Sequence, residues 1–198
     1  MDTAELARLI EYKVAPAPLI AVQGLANTFA FEPEEERFSD PGSARRWLLE
    51  SDLAAKTIEV GAAELDRLVE CRRIIRALID ANLTGEVDPA ASAAFARLAA
   101  AHPVDLAASR GGALALDLSP AATIDGVISQ MVGIVFQAQL ESQWSRLKVC
   151  ASDECRWAFF DSSRNRGGTW CQMETCGNRI KNRAYRRRQT TRRSRSAA

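Results

Sequence analysis

The sequence predicts an α+β fold that is predominantly α. A helical N-terminal domain with a short strand element should precede a small C-terminal β-hairpin, stapled by a metal ion and followed by a basic helix. Three observations support this prediction: helical spacing of apolar residues through most of the chain, four of the five cysteines between residues 150 and 176, and a basic C-terminal end. A length of 198 residues with 47% hydrophobic content allows one ordinary core plus a small appended module.

Three segments are expected along the chain. They are a helical regulatory or sensor-like domain over residues 1–147, a metal-binding module over residues 148–190 and a basic disordered tail over residues 191–198. The first residues do not resemble a signal peptide, and no window reaches the roughly 20 apolar residues of a membrane span. We therefore expect a cytoplasmic protein, whose cysteines stay reduced and available to a metal.

The N-terminal domain is predicted to contain five helices and one strand, and residues 6–12 are compatible with either a short helix or a strand. The helices cover residues 19–29, 44–49, 59–83, 90–101 and 120–147, and the strand covers residues 110–118. The helix over 59–83 has the clearest apolar stripe. The last helix is apolar on nearly every face, with Ser119 as its N-cap and Pro120 in its first turn, so it should form the centre of the core.

Three single residues have both a functional and a structural interpretation. Asn27 could contact a ligand, but an asparagine near a helix end more often bonds to backbone. Cys71 lies beside an apolar stripe, which favours a small buried thiol over a redox or metal role. His102, the one histidine in the chain, is most simply a residue at a helix end.

The metal-binding motif consists of two cysteine pairs. Cys150 and Cys155 are followed, after fifteen residues, by Cys171 and Cys176. Paired spacing of this kind brings four thiolates to one ion, and an all-thiolate set favours Zn2+, with an iron–sulfur centre second. Four protein ligands leave no open coordination position, so the metal should be structural. Two disulfides or four unrelated thiols are disfavoured, because the chain lacks secretory features.

The spacer between the cysteine pairs has the composition of a hairpin. Residues 156–161 are aromatic and strand-like, residues 162–168 have turn chemistry, and residues 169–171 are predicted to return as the second strand. Such a module could not bury enough apolar surface to fold alone, so the ion should supply the missing stability.

The residues after Cys176 form a strongly basic segment. Lys and Arg outnumber Asp and Glu by 14 to 4 from residue 144 to the end, whereas the rest of the chain has 12 against 21. Clustered cations with few carboxylates favour nucleic-acid binding, although a solvated tail that binds nothing specific has the same composition. The predicted contacts are Arg179, Lys181, Arg183, Arg186, Arg187 and Arg188.

These motifs carry a family resemblance. The cysteine spacing, the Cys155-Arg156-Trp157 segment and the run Cys176-Gly177-Asn178-Arg179 resemble the CGNR zinc finger. That finger ends bacterial proteins described as stress-induced transcription regulators. The resemblance implies that the four cysteines bind zinc and that the following helix contacts DNA. The family usually has two arginines where this chain has Gly168 and Thr169, so Arg164 and Arg166 could replace a phosphate contact.

The N-terminal domain resembles, more loosely, the domain that accompanies this finger. The resemblance rests on Asn27-Thr28, Trp47-Leu48 and the helix around residues 72–81, and it implies a regulatory role.

Several functional hypotheses follow. The leading one is a transcription regulator that binds double-stranded DNA, with the N-terminal domain sensing a small-molecule effector or forming a homodimer. RNA binding and docking of the basic helix on an acidic protein partner, including the chain's own acidic domain, are the alternatives. An enzyme is not expected, because the sequence contains no recognisable catalytic constellation.

Overall fold

The computed structural model describes residues 3–10, 12–31, 33–108 and 111–182. The described part contains six α-helices: α1 Thr3–Ile10, α2 Ile20–Ala26, α3 Pro41–Glu50, α4 Ala62–Thr84, α5 Pro89–Ala101 and α6 Ile124–Leu140. Its short strands are β1 Phe29–Phe31, β2 Glu34–Glu36, β3 Leu106–Ala108, β4 Leu114–Leu116, β5 Leu147–Val149 and β6 Ala158–Phe160. They pair antiparallel as β1–β2, β3–β4 and β5–β6. The predicted helix-rich α+β class is confirmed.

Local capping chemistry sets the ends of the helices. The Asp40 carboxylate accepts a hydrogen bond from the Ser43 amide at 2.9 Å at the start of α3. At the end of α4, Gly85 takes a left-handed conformation with φ 76°, which glycine adopts without strain. These signals explain why the predicted helices over 44–49 and 59–83 differ from α3 and α4 by only a few residues.

The predicted limits of the last helix are wrong at both ends. Helix α6 begins after Thr123, whose hydroxyl accepts a hydrogen bond from the Gly126 amide at 3.2 Å. Ser119 instead donates its amide to the Asp117 carboxylate at 2.9 Å in a turn outside the helix. The helix ends at Leu140, and residues 147–149 form β5. Apolar residues continue across both regions, so hydrophobic pattern alone could not separate helix from strand.

One large hydrophobic core joins the helices to the β5–β6 pair. Helix α6 contributes Ile128, Met131 and Ile134, all fully buried, which confirms its central position. Strands β5 and β6 add Leu147, Val149, Ala158 and Phe160 to the same core. A smaller cluster is formed by four cysteines, Phe159 and two partly buried tryptophans. The large core therefore extends across residue 147, into the segment that carries the cysteines.

No helix in the described ranges combines the length and apolarity needed to traverse a bilayer.

The β3–β4 pair was predicted only in part: β4 lies inside the expected strand, but its partner β3 was missed.

Candidate metal centre and its attachment to the helices

The four cysteines predicted to bind a metal converge on one point. The sulfur atoms of Cys150, Cys155, Cys171 and Cys176 all lie within 4.8 Å of one another. The Cys155–Cys171 and Cys171–Cys176 sulfur distances are 3.6 and 3.8 Å. A Zn–S bond of about 2.3 Å in a tetrahedron requires sulfurs about 3.8 Å apart. The cluster has the dimensions of a structural Zn2+ site, and none of its cysteines forms a disulfide.

The first cysteine pair lies at the turn of the β5–β6 hairpin. The Cys150 amide donates to the Trp157 carbonyl at 2.8 Å, and the Cys155 amide donates to the Ser152 carbonyl at 2.9 Å. Arg156 then takes a positive φ of 48°, which reverses the chain toward β6. This turn presents both thiols to one side of the hairpin.

The predicted pairing of residues 156–161 with residues 169–171 is wrong. Strand β6 pairs instead with β5, in the register Leu147 with Phe160 and Val149 with Ala158. Residues 169–171 approach the turn, where the Ala151 amide donates to the Thr169 carbonyl at 2.9 Å. The chain thereby brings Cys171 beside the first pair without forming a second strand.

The second cysteine pair leads directly into the basic segment. Residues Met173–Gly177 form a single π-helical turn, in which the Gly177 amide donates to the Gln172 carbonyl at 3.2 Å. A Cβ atom at Gly177 would overlap the sulfur of Met173, so a larger residue here would require the exposed Met173 side chain to move. Helical backbone then continues over residues 178–182. The metal centre therefore anchors the start of this helical segment.

Electrostatics also favour a cation at the cysteine cluster. Hydrogen bonds from the Cys155 and Cys171 thiols lower the pKa of Cys150, while sharing a proton with Cys150 raises the pKa of Cys155 and of Cys171. The lowered pKa of Cys150 and the raised pKa values of Cys155 and Cys171 mean that, without a cation, negative charge on one of these sulfurs limits the charge on the other two. A bound Zn2+ removes this limit, because it compensates the repulsion among four thiolates.

A buried ion pair holds the loop between the cysteine pairs. The Lys148 ammonium donates to the Asp161 carboxylate at 2.9 Å, to the Gly168 carbonyl at 3.2 Å and to the Arg166 carbonyl. The Asp161 carboxylate also accepts the Ser163 amide at 3.0 Å and the Gly168 amide at 2.7 Å. These bonds fix both ends of the loop over residues 162–168.

The Asp161 carboxyl is held ionised by this network. Burial alone would raise its pKa, but hydrogen bonds from Ser163, Lys148 and the Gly168 amide outweigh burial and place the pKa well below its usual range. The network also explains the glycine at position 168, where the family resemblance leads one to expect arginine. A Cβ atom there would lie 2.8 Å from the Asp161 carboxyl carbon.

The free edge of β6 is covered by the N-terminal helical region. The Asn27 side chain donates to the Ala158 carbonyl at 2.9 Å and accepts the Ala158 amide at 2.8 Å. Gln23 donates to the same carbonyl at 3.1 Å, and the Phe160 amide donates to the Lys13 carbonyl at 2.7 Å. Since these partners replace a neighbouring strand, β6 is joined to α2 by direct hydrogen bonds.

Helix α4 makes a second attachment. The Arg76 guanidinium donates to the Arg156 carbonyl at 2.7 Å and to the Ala26 carbonyl at 2.6 Å, so it bridges the cysteine turn and the end of α2. Burial, with the nearby Arg156 charge, lowers the pKa of Arg76 to about 10. The Arg156 guanidinium in turn forms an ion pair with Asp80 of α4.

The predicted nucleic-acid contacts fall into two groups. Arg179 and Lys181 lie in the helical segment over residues 178–182, where Arg179 contacts the Glu154 carboxylate at 3.1 Å and Lys181 is exposed. The other predicted contacts lie outside the described residues: Arg183, Arg186, Arg187 and Arg188.

The three residues with two interpretations have structural roles. Asn27 bonds to backbone, although to a strand 131 residues away rather than to its own helix. Cys71 is buried, and burial raises the pKa of its thiol to about 12. His102 ends α5, with Nδ1 2.8 Å from the Leu98 carbonyl and Nε2 3.1 Å from the Asp125 carboxylate.

Sequence reasoning missed Lys148, Asp161 and Gln23 as residues that position the site. A lysine between two apolar residues of a strand usually lies on the solvent face, so the position of Lys148 in the sequence does not reveal that it is buried and paired. Gln23 gives no signal either, since a single glutamine in an apolar helix is compatible with many partners.

A cleft of about 490 Å³ opens beside the metal centre. Its walls include Trp157 and Cys155 from the cysteine turn, Arg37 and Pro33 from the region of β1 and β2, and Arg179 from the basic segment. The cleft therefore has walls from both the N-terminal helical region and the cysteine module.

The fold and the site together define a helical protein that carries a C-terminal four-cysteine zinc finger. Residues 146–189 match the CGNR zinc finger family, and residues 21–129 match the ABATE family, described as a putative stress-induced transcription regulator. The second match covers more than half of the chain, which therefore belongs to the ABATE family. Both are regulator or zinc-finger families rather than enzyme families. No curated protein matches the chain.

Proposed function

We propose that this protein is a DNA-binding transcription regulator, in which the zinc finger is structural and the basic segment after Cys176 contacts duplex DNA. The observation that carries the proposal is the direct continuation of the four-sulfur centre into the helical segment over residues 178–182. Seven of the residues from 183 to 198 are arginines. A metal centre that fixes where a dense cationic segment begins suits a protein that neutralises DNA phosphates.

The proposed contacts are Arg179, Lys181, Arg183, Arg186, Arg187 and Arg188, with zinc held by Cys150, Cys155, Cys171 and Cys176. When bound, the ion supplies folding energy and holds the two cysteine pairs together. The other roles belong to residues of the chain itself. Lys148 and Asp161 hold the loop over residues 162–168, and the proposed arginine contacts and Lys181 attract phosphate. Exposed Arg164 and Arg166 are available to supplement these contacts.

The N-terminal helical region is the proposed regulatory unit. Hydrogen bonds from Asn27, Gln23 and Arg76 to the cysteine module support this assignment, because a rearrangement of α2 or α4 would be transmitted to β6 and the turn. The cleft beside the metal centre is the proposed place for a small-molecule effector, since a ligand there would contact both parts of the protein.

The test is binding of the full chain to mixed-sequence duplex DNA, followed by fluorescence anisotropy over a salt series. The test variant is Arg186→Ala/Arg187→Ala/Arg188→Ala. The matched control removes three exposed cations from the helical region: Arg46→Ala/Lys56→Ala/Arg97→Ala. Both variants lose the same net charge, so a difference between them reports position rather than overall charge.

We expect wild-type affinity to fall steeply with salt and the test variant to reduce the log–log slope by up to about three. The control variant should keep most of the slope, and metal-stripped protein should lose ordered binding. Absence of duplex binding at low salt with zinc in place would overturn the proposal. Tighter binding to single-stranded RNA than to duplex DNA would favour the RNA alternative.

A further inference from the structure

An exposed apolar surface lies on the side of the helical region formed by the β3–β4 hairpin and the C-terminal half of α6. Four large side chains are more than half exposed: Leu106 is 60% exposed, Leu114 69%, Phe136 56% and Leu140 70%. Single exposed apolar residues are common on proteins, but a contiguous group marks an interaction site. We call these four residues, with Val104, the apolar notch.

The β3–β4 hairpin and α6 are in direct contact next to these residues. A Cβ atom on Gly133 of α6 would lie 2.9 Å from Leu116 and 3.0 Å from Val104, so the hairpin packs closely on the helix at this glycine. Leu106 is directly opposite Leu116 in the β3–β4 register, and Leu114 precedes Leu116 by two residues. All three leucines therefore face the α6 side of the hairpin.

Helix α6 supplies the other wall. Phe136 and Leu140 follow Gly133 by three and seven residues, which places them on the same face of the helix. None of the five described residues that define the notch carries a charge. The neighbouring Gln137 and Glu141 bond to each other at 2.7 Å, beside the apolar stripe.

We propose that a second copy of this chain occupies the apolar notch, with α6 of each protomer packed against the β3–β4 hairpin of the other. The five side chains offer on the order of 500 Å² of apolar area per protomer, at roughly 100 Å² each. A standard interface buries about 800 Å² per partner, and homodimer interfaces are about two-thirds apolar. The notch thus provides the apolar area that a stable dimer needs.

A second copy also satisfies the charge requirement of a symmetric interface. In a two-fold dimer each surface meets its own equivalent, so a charged patch would repel itself, whereas an uncharged notch does not. Residues 183–198 are poorly suited to cover the notch, because Tyr185 is their one large ring among seven arginines.

The dimer also bears on the proposed function, and the following argument for it rests on DNA binding as proposed above. A single small finger gains useful specificity when two copies contact two half-sites. Because α6 ends ten residues before Cys150, a dimer through α6 would hold two metal centres at a fixed separation.

The test measures mass in solution by light scattering and sedimentation equilibrium, with zinc content and far-UV circular dichroism as folding controls. Wild type should have twice the monomer mass at micromolar concentration. Phe136→Ser/Leu140→Ser should weaken the dimer by at least about 100-fold while zinc content stays the same. The matched control, Val87→Ser, removes an apolar side chain that is 68% exposed outside the notch and should remain dimeric.

A complementary pair of variants tests the proposed packing. Leu106→Glu/Leu114→Glu and Phe136→Lys/Leu140→Lys should each be monomeric alone, and mixing them should restore a dimer. A zinc-loaded wild type that stays monomeric at micromolar concentration overturns the proposal, as does a mixture that stays monomeric. If the zinc-loaded wild type is a dimer but does not bind duplex DNA, the proposed function is overturned and the proposed dimer is not.

Discussion

The side-chain amide of Asn27 and the backbone of Ala158 form a reciprocal pair of hydrogen bonds, at 2.9 and 2.8 Å. The amide takes the place of a neighbouring strand at the edge of β6, and it joins helix α2 to the cysteine module. An amide side chain suits this position because it offers a donor and an acceptor side by side.

Replacing Asn27 with alanine should destabilise the protein by about 2 kcal/mol, because the buried Ala158 amide would lose its acceptor. Gln23 would still donate to the Ala158 carbonyl, so the hydrogen bond that is lost without replacement is the one from the Ala158 amide. Urea unfolding of the zinc-loaded protein measures the change. Asn165→Ala, on an exposed loop, is the matched control and should change stability by less than about 0.5 kcal/mol. Equal stability of the two variants would contradict a structural role for Asn27.

The contrast between the metal centre and its attachment shows what sequence could predict. Cysteine pairs at short spacing predict a metal site because the two cysteines of each pair are close in sequence, and the fold only has to bring one pair to the other. The partner of Asn27 lies 131 residues away, and no local pattern identifies it. Strand β5 was missed for a related reason, since Leu147 and Val149 continue the apolar pattern of α6 and their extended conformation depends on pairing with β6.

Lys148→Met should destabilise the protein by about 3–5 kcal/mol, because it leaves the Asp161 carboxylate buried without its cationic partner. Zinc affinity should fall as well, since the loop that carries the chain from Cys155 to Cys171 loses its anchor. Chemical unfolding and competition with a chromogenic zinc chelator measure the two effects. Lys56→Met, at an exposed position, is the control, and a comparable loss in that variant would contradict the prediction.

The Asp161 carboxyl should stabilise the protein equally across neutral pH. Its pKa is lower in the folded protein than the value of about 3.9 in the unfolded chain, so its contribution is complete above the unfolded value and is lost as pH falls through the folded value. The stability difference between wild type and Asp161→Asn should therefore stay constant from about pH 6 to pH 8. Unfolding curves at several pH values test this, and a difference that grows with pH in that window would contradict it.

Metal removal should expose four thiols and leave the fifth protected. In the zinc-loaded protein, Ellman's reagent should react slowly, since four sulfurs are coordinated and Cys71 is buried with its pKa raised to about 12. A chelator should release four reactive thiols, and denaturant should release Cys71. The Cys71→Ala variant should still release four thiols with chelator and should release no further thiol with denaturant. Recovery of only one thiol under non-reducing denaturation would indicate two disulfides and contradict the metal site.

Gly168→Ala should destabilise the loop between the cysteine pairs, whereas Gly167→Ala should not. A Cβ atom at Gly168 would lie 2.8 Å from the Asp161 carboxyl carbon, but a Cβ atom at Gly167 has nothing within 4 Å. Relieving the overlap would disturb the bond from the Gly168 amide to Asp161, at a cost of about 1–3 kcal/mol. Thermal unfolding of the two zinc-loaded variants compares adjacent glycines in one loop. Equal melting temperatures would show that the loop adapts without cost, and that the arginine expected at position 168 is not excluded by Asp161.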